Sequence, residues 1–207
     1  QVGMVFENPD NQIIGTSVEE DVAFGPENKN IEPEKIRKIV ETVLRKVKLW
    51  DRRKASPSIL SGGQKQRLAT ADALAGLPAC LVLDEPTAML DPDSRKEVIN
   101  IVKELNRKEG MTIILITHHT DEVVDADRIV LMKDGKIIGD DIPKKIFADY
   151  ELLKKAKMDI PPVVELGMRL EKQQIGLEGP VLQEQEMIEK IVKLYRSKCG
   201  GKKDAAR

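Results

Sequence analysis

Three short stretches of the sequence carry residue types suited to phosphate chemistry. In Ser61-Gly62-Gly63-Gln64, a serine and two glycines open a helical pattern, where glycine N–H groups can approach an oxyanion and the helix N-terminus favours negative charge. Further on, the apolar run Cys80–Leu83 ends in two adjacent carboxylates, Asp84 and Glu85, and a second apolar run is followed by His118. An anion cradle, a metal carboxylate, a candidate base and a histidine, in this order, indicate nucleotide chemistry.

The two carboxylates need a strand that ends where a ligand can bind. In open α/β sheets, ligands bind beyond the carboxyl ends of the strands, which is where Asp84 falls. Mg²⁺ prefers one or two carboxylates together with phosphate oxygens, so Asp84 is a candidate metal ligand. Glu85 is the candidate base toward an attacking water. Taken alone, Asp84-Glu85-Pro86 is equally consistent with a polar turn, and only its combination with the other stretches favours a site.

Hydrophobic periodicity predicts an α/β fold with alternating strands and helices. The predicted elements are a buried strand Gln1–Phe6, a helix ending at Gly25-Pro26, a helix from Pro33 to near Leu49, a helix from Gly62 to Ala75, a buried strand Cys80–Leu83, a helix between Asp91 and Gly110, a strand Thr112–Ile116 and a hairpin turning at Asp134-Gly135. After Pro143 the pattern becomes helical, with a mobile tail expected from Gly200.

Composition limits the class of protein. Of the 207 residues, 41% are hydrophobic and 33% are charged, as in a globular chain, and the formal net charge of −1 gives no argument for nucleic acid. The two cysteines, Cys80 and Cys199, do not make a disulfide or zinc framework, so we expect a reducing, cytoplasmic setting. No apolar run approaches the roughly 18 residues of a membrane span.

Four of these motifs together resemble one enzyme family. Leu60–Gln64 is similar to the signature motif of ATP-binding cassette (ABC) ATPases, and Leu81–Glu85 resembles their Walker B strand. Ala88–Asp91 resembles their D-loop, and Ile116–His118 resembles their switch-histidine strand. The motifs occur in the family's order, and the resemblance therefore implies a P-loop NTPase fold with a parallel sheet core.

The resemblance also implies a role for each motif residue, with ATP and Mg²⁺ as cofactors. Asp84 would hold Mg²⁺, Glu85 would polarise the attacking water, and His118 would contact the γ-phosphate. Asp91 would couple two sites across the interface with a second ABC ATPase subunit, in a homodimer or heterodimer. His119 has no implied duty. The residues implied to act in trans, on ATP held by the partner subunit, are Ser61, Gly62, Gly63 and Gln64.

The first segment resembles one branch of the family, the ATPase subunits of energy-coupling factor importers and their cobalt/nickel relatives. The resemblance lies in Val2–Phe6, Asn8–Gln12 and Glu19–Asn28. It implies a peripheral subunit at the cytoplasmic face of the cell membrane, partnered by a transmembrane coupling protein and a substrate-binding membrane subunit. Such a subunit would use ATP hydrolysis to power uptake of a vitamin or a transition-metal ion.

This branch also implies a domain layout. Residues 1–142 would form the ABC ATPase domain, with a helical subdomain at about 16–76. Residues 143–207 would form a small helical C-terminal extension that contributes to dimer contacts.

The sequence departs from the family pattern at two points. Glu7 stands where the family's Q-loop carries Gln, and it would add a negative charge to the metal site that it is implied to join. No Gly-x-x-x-x-Gly-Lys-Ser/Thr motif, the Walker A loop that cradles phosphates, occurs in the 207 residues. We therefore expect an N-terminally incomplete ABC ATPase domain, against the alternative of a subunit that naturally lacks this loop.

Two other functions compete with the importer ATPase. A non-hydrolysing module would supply only its signature motif to a partner's ATP and its Asn8–Asn28 surface to a membrane protein. A soluble ABC protein of DNA repair or translation is disfavoured by the resemblance of the first segment to the importer branch.

Overall fold

A computed structural model of the chain describes residues 1–177 and 179–200. The chain divides into two compact units, Gln1–Thr117 and a second that begins at His118. The sequence predicts a boundary at 142/143; the compact units divide earlier because the hairpin before Pro143 packs with the helices that follow it. The mobile tail predicted beyond Gly200 lies outside the described residues.

The first unit is built on three parallel strands in the spatial order β1-β2-β3. These are β1 (Val2–Val5), β2 (Cys80–Asp84) and β3 (Thr112–Ile116). Strand β2 is central, with Leu83 paired to Val5 on one side and to Leu115 on the other. The predicted parallel sheet is confirmed, and the carboxyl end of its middle strand carries Asp84.

The strands bury one face more completely than the other. Leu81 and Leu83 are fully buried in the core, but Val2 is 68% exposed and Ile114 is 49% exposed. The prediction that β1 is a buried strand is therefore wrong. Strand side chains alternate between the two faces of the sheet. The face that carries Leu81 and Leu83 packs against the helices and forms the core of this unit.

Four helices complete the first unit: α1 (Val18–Asn28), α2 (Pro33–Lys46), α3 (Gly62–Ala75) and α4 (Pro92–Glu109). Helix α3 has the predicted bounds. Helix α1 continues past the predicted end at Gly25-Pro26, because Pro26 is buried and its carbonyl accepts from the N–H of Lys29 at 3.1 Å. Helix α4 ends at Gly110, which takes the left-handed conformation (φ +67°) that glycine tolerates best.

Within its described residues, the second unit contains an antiparallel hairpin and four α-helices. Strands β4 (Ile129–Lys133) and β5 (Lys136–Asp141) turn at Asp134 and Gly135, as predicted, and both turn residues have positive φ. The helical pattern predicted after Pro143 is confirmed, and it forms α5 (Pro143–Ala148), α6 (Tyr150–Ala156), α7 (Pro162–Lys172) and α8 (Glu184–Gly200). Over residues 1–177 and 179–200, no helix combines the length and the apolar character that a membrane crossing requires.

Candidate nucleotide site

The signature stretch forms the first turn of helix α3. Ser61 is the N-cap residue, and its Oγ accepts the N–H of Gln64 at 3.3 Å. The Gln64 side chain returns the bond, since its Oε1 accepts the N–H of Ser61 at 3.0 Å. Ser and Gln at this spacing form a capping box, which fixes where the helix starts. The N–H groups of Gly62 and Gly63 remain as first-turn donors without a helical carbonyl to bind.

The two glycines differ in what surrounds them. Gly62 is exposed, and a Cβ built on it would only touch Leu90 at 3.6 Å. Gly63 is buried, and a Cβ there would lie 2.7 Å from both Cβ and Oγ of Ser94 in the first turn of α4. Gly63 is thus required for the close approach of helices α3 and α4. The signature turn and the D-loop stretch are brought together by these contacts.

Asp91 is the N-cap residue of helix α4. Its Oδ1 accepts the N–H groups of Asp93 at 3.1 Å and Ser94 at 3.0 Å. Hydrogen bonds from the side chain and the backbone of Ser94 hold the pKa of the exposed Asp91 carboxyl below its ordinary value. Asp91 therefore remains an anion, next to the turn that carries Ser61.

Asp84 and Glu85 lie at the carboxyl end of the central strand. Asp84 is the last residue of β2, paired in register with Ile116, and is half-buried. Glu85 has a φ of +45°, which is uncommon for a residue with a side chain, and its N–H donates to the Ile116 carbonyl at 2.9 Å. That bond and the buried Pro86 hold the chain in a sharp turn. Backbone strain of this kind is often found at functional sites.

Glu7 lies in the same compact unit, on the loop after β1. It is exposed and lines a small open cleft of about 140 Å³. The cleft joins three of the predicted motifs, because residues of the Q-loop stretch, the signature turn and the D-loop line it. The lining residues are Glu7, Asn8, Pro9, Asp10, Leu60, Gly62, Lys65, Gln66, Pro86, Met89 and Leu90.

The two histidines belong to the second compact unit. His118 is exposed and His119 is half-buried, with ring centroids 4.1 Å apart and ring planes inclined by 38°. The structure therefore brings Glu7, the signature turn and Asp91 together within the first unit, with Asp84 and Glu85 at the end of its central strand. His118 belongs to the second unit.

Several residues near the motifs are absent from the sequence predictions. Ser94 contacts Gly63, and Gln66 and Lys65 bind the loop after β1. Asp72, in the third turn of α3, lies beside the buried Asp21 of α1, and burial followed by the Asp21 charge raises the pKa of Asp72 to about 9. The sequence does hold a signal for Asp72. In the run Leu68–Ala75 every residue except Thr70 and Asp72 is apolar, so Asp72 is an acid within a stretch expected to be buried.

The Asp84 carboxylate is of the type that binds Mg²⁺ together with phosphate. Over the described residues, no group of three or more His, Cys, Asp and Glu side chains could hold a metal ion. A dedicated all-protein cage is therefore not formed there. Mg²⁺ is usually held by one or two carboxylates, with substrate phosphates and water as the other ligands, and Asp84 supplies such a carboxylate.

Similarity to known proteins establishes the class to which this chain belongs. The ABC transporter family profile matches residues 1–88. Among solved structures, CbiO1 from Clostridium perfringens, part of the ABC transporter complex CbiONQ, is similar with a TM-score of 0.69 and 37% identity, covering 82% of this chain and 67% of that one. The ATP-binding cassette MJ0796, a dimeric post-hydrolysis state with ADP and Pi, gives a TM-score of 0.60 and 30% identity over 69% of this chain and 63% of that one. The fold is that of an ABC ATPase.

Curated relatives identify the family within this class. The energy-coupling factor transporter ATP-binding protein EcfA1 of Caldanaerobacter subterraneus is 54% identical over 91% of this chain and 68% of its own length. The protein of the same name from Clostridium novyi is 50% identical over 93% of this chain and 69% of its own length. The chain belongs to the family of energy-coupling factor transporter ATP-binding proteins, as its sequence motifs predict.

Proposed function

We propose that this chain binds and hydrolyses ATP as a subunit of an energy-coupling factor importer. The free energy of ATP hydrolysis would power uptake of a vitamin or of a transition-metal ion, cobalt or nickel, through a membrane partner. The observation that carries the proposal is the 54% identity, over 91% of the chain, to an energy-coupling factor transporter ATP-binding protein. The similarity to CbiO1, which is part of the ABC transporter complex CbiONQ, supports a role for this chain as a subunit of a transporter complex.

Within the proposed subunit, the carboxyl end of β2 carries the chemistry. Asp84 would hold Mg²⁺ through its carboxylate, as Mg²⁺ is usually bound by one or two carboxylates together with phosphate oxygens and water. Glu85 accepts a proton from the attacking water, and the bond from its N–H to the Ile116 carbonyl fixes the backbone turn that carries this side chain. Glu7 would add an oxygen ligand from the loop after β1. Mg²⁺ would supply charge stabilisation for the transferring phosphoryl group.

The signature turn acts on the nucleotide of a second ATPase subunit. Ser61, Gly62, Gly63 and Gln64 present N–H and side-chain donors at a helix N-terminus, which suits a γ-phosphate held by the partner. Asp91, at the neighbouring helix start, links the two composite sites, and His118 contacts the γ-phosphate. The dimeric state of the MJ0796 relative supports a two-subunit arrangement.

The membrane partners bind on the side of the first helices. We infer that the subunit lies peripherally at the cytoplasmic face of the membrane, where the Asn8–Asn28 surface contacts a transmembrane coupling protein that also associates with a substrate-binding membrane subunit. The resemblance of this stretch to the importer branch supports the assignment. No nucleic acid is involved.

Glu85→Gln in the full-length subunit, assembled with its partners, tests the proposal. Because a positioned general base contributes roughly 10²–10⁴-fold, ATP turnover should fall by at least about 100-fold while ATP binding persists and the ATP-bound dimer accumulates. Glu104→Gln, on the exposed face of α4, is the matched control and should turn over ATP like the wild type. Undiminished turnover by Glu85→Gln would remove Glu85 as the base. A wild-type assembly that binds ATP without hydrolysing it would favour the non-hydrolysing module instead.

A further inference from the structure

The peptide that leads into Glu7 is held by two glutamine side chains. The N–H of Phe6 donates to Gln12 Oε1 at 2.8 Å, and Gln12 Nε2 in turn donates to the Met4 carbonyl at 3.2 Å. On the other side, Gln66 Nε2 donates to the Phe6 carbonyl at 3.3 Å. Both backbone polar groups of Phe6 are therefore bonded to side-chain amides, one from its own loop and one from helix α3.

Gln66 is placed to control the orientation of Glu7. The Phe6 carbonyl and the Glu7 N–H belong to one planar peptide unit, so a bond to that carbonyl fixes the plane from which Glu7 starts. Gln66 is only 1% exposed, and a buried amide loses free energy if its hydrogen bond is broken and not replaced. The hydrogen bond from Gln66 to the Phe6 carbonyl is therefore costly to break, unlike a bond between two exposed side chains.

A second link runs parallel to the first but is weaker. Lys65 Nζ lies 2.7 Å from Asp10 Oδ1, with the lysine side chain 22% exposed and the aspartate 62% exposed. Solvent screens such a pair, so its contribution is small. Its position still joins the same loop to the same helix, one residue before Gln66.

The helix that carries Gln66 also carries the signature turn. Ser61 caps α3, and Gln66 lies in the next turn, about 7.5 Å along the axis at 1.5 Å per residue. Gly62, Lys65 and Gln66 line the same cleft as Glu7. A rigid helix therefore connects the turn that would engage the partner's nucleotide with the peptide that would orient Glu7.

We propose that Gln66 is a positioning residue that couples Glu7 to the signature turn. When Ser61–Gln64 engages ATP on the partner subunit, helix α3 carries the Phe6–Glu7 peptide with it through the Gln66 hydrogen bond. Glu7 reaches its working position only after that engagement. The inference rests on the proposed function, because it assigns a consequence to ATP-driven closure.

A double-mutant cycle in the full-length subunit tests this coupling. Gln66→Leu keeps the size of the side chain but loses the amide, so kcat should fall about tenfold with the KM for ATP within about twofold of wild type. In a Glu7→Ala background, Gln66→Leu should have no further effect on kcat, since Gln66 then has nothing to position. Gln173→Leu, an exposed glutamine in the second unit, is the matched control and should leave kcat unchanged.

A second measurement does not depend on turnover. Amide exchange of residues 6–12 should slow when ATP is added to the wild-type subunit, and this slowing should be lost in Gln66→Leu. If Gln66→Leu fails to fold, Gln12→Leu, which releases the Phe6 N–H, should show the same dependence on Glu7. The inference would be overturned if Gln66→Leu lowered kcat equally in the wild-type and Glu7→Ala backgrounds. It would also be overturned if ATP slowed amide exchange in Gln66→Leu as much as in the wild type. Wild-type subunits that fail to hydrolyse ATP would defeat the proposed function, and the exchange result would then decide the coupling by itself.

Discussion

Two aspartates of the first unit have opposite electrostatic environments although they lie on consecutive helices. Asp91, at the start of α4, faces solvent and accepts hydrogen bonds from Ser94 and Asp93, and these hold its pKa low. Asp72, in the middle of α3, is largely removed from water and lies beside Asp21, so its pKa is raised to about 9. Asp91, in the proposed site, therefore stays charged, whereas Asp72 is protonated at neutral pH. Surroundings, rather than residue type, set these states.

The buried pair has a clear division of roles. Asp21 Oδ1 accepts the N–H groups of Ile14 at 2.8 Å and Gly15 at 2.6 Å, so this carboxylate ties down the loop before α1. Asp72 is the member of the pair that carries a proton at neutral pH, because burial and the nearby Asp21 carboxyl raise its pKa to about 9. The loop packs tightly here, since a Cβ at Gly15 would lie 2.6 Å from the Asp21 nitrogen. The pair thus joins the start of α1 to α3.

The largest effect expected from this comparison is on the pH dependence of stability. The folded state keeps a proton on Asp72 up to about pH 9, whereas the unfolded chain releases it near the ordinary value of 3.8. Between these values the folded state binds more protons, so the free energy of unfolding falls as pH rises. Asp72→Asn, which mimics the protonated acid, should remove this slope, a relative gain of up to about 4 kcal/mol between pH 5 and pH 8.

Urea unfolding followed through Trp50, the single tryptophan and a residue of the first unit, measures that slope. Asp51→Asn, an exposed neighbour of the same tryptophan, serves as the control and should keep the wild-type pH dependence. Identical slopes for wild type and Asp72→Asn would show that Asp72 is ionised in the folded state at neutral pH.

The sequence alone predicts the exposed half of this comparison and misses the buried half. Asp91 is found because it precedes a helix-starting Pro92 and belongs to a short linear motif. The parallel sheet and the bounds of α3 are also found, since apolar periodicity and the Ser61-to-Gln64 cap are local signals. The Asp21–Asp72 pair joins residues that are distant in the chain, and no local pattern reports which helices will pack together.

Exposure of the strands is missed for a related reason. The run around Val2 is apolar and predicts a buried strand, but burial depends on which elements cover each face of the sheet. Gln66 was likewise interpreted as part of a helix, because its partner, the Phe6 carbonyl, lies on a loop sixty residues earlier. Side-chain to backbone contacts of this range need a structure.

The second prediction tests the contact that joins the two helix starts. Gly63→Ala places a Cβ 2.7 Å from Ser94 Cβ and Oγ, so α3 and α4 must separate, at a cost of roughly 1–3 kcal/mol in the free energy of unfolding. Ser94→Gly in the same chain removes both clashing atoms and should recover a large part of the loss. Gly62→Ala, where the nearest atom is 3.6 Å away, is the matched control with a much smaller effect. Equal losses at the two glycines would mean that the helices are not in close contact at Gly63.

The smallest effect is expected at the exposed aspartate. Asp91→Ala removes the acceptor for two N–H groups at the start of α4, and the midpoint of thermal unfolding should fall by about 2–4 °C. Asp91→Asn keeps the cap and should lose less. Because the pKa of Asp91 is lowered on folding, its stabilisation is present above the ordinary value of 3.8 and is lost as pH falls through the lower folded value. The difference between wild type and Asp91→Asn should therefore shrink in acid, opposite in sign to the Asp72 effect, and a difference that grows in acid would contradict the assigned hydrogen bonds.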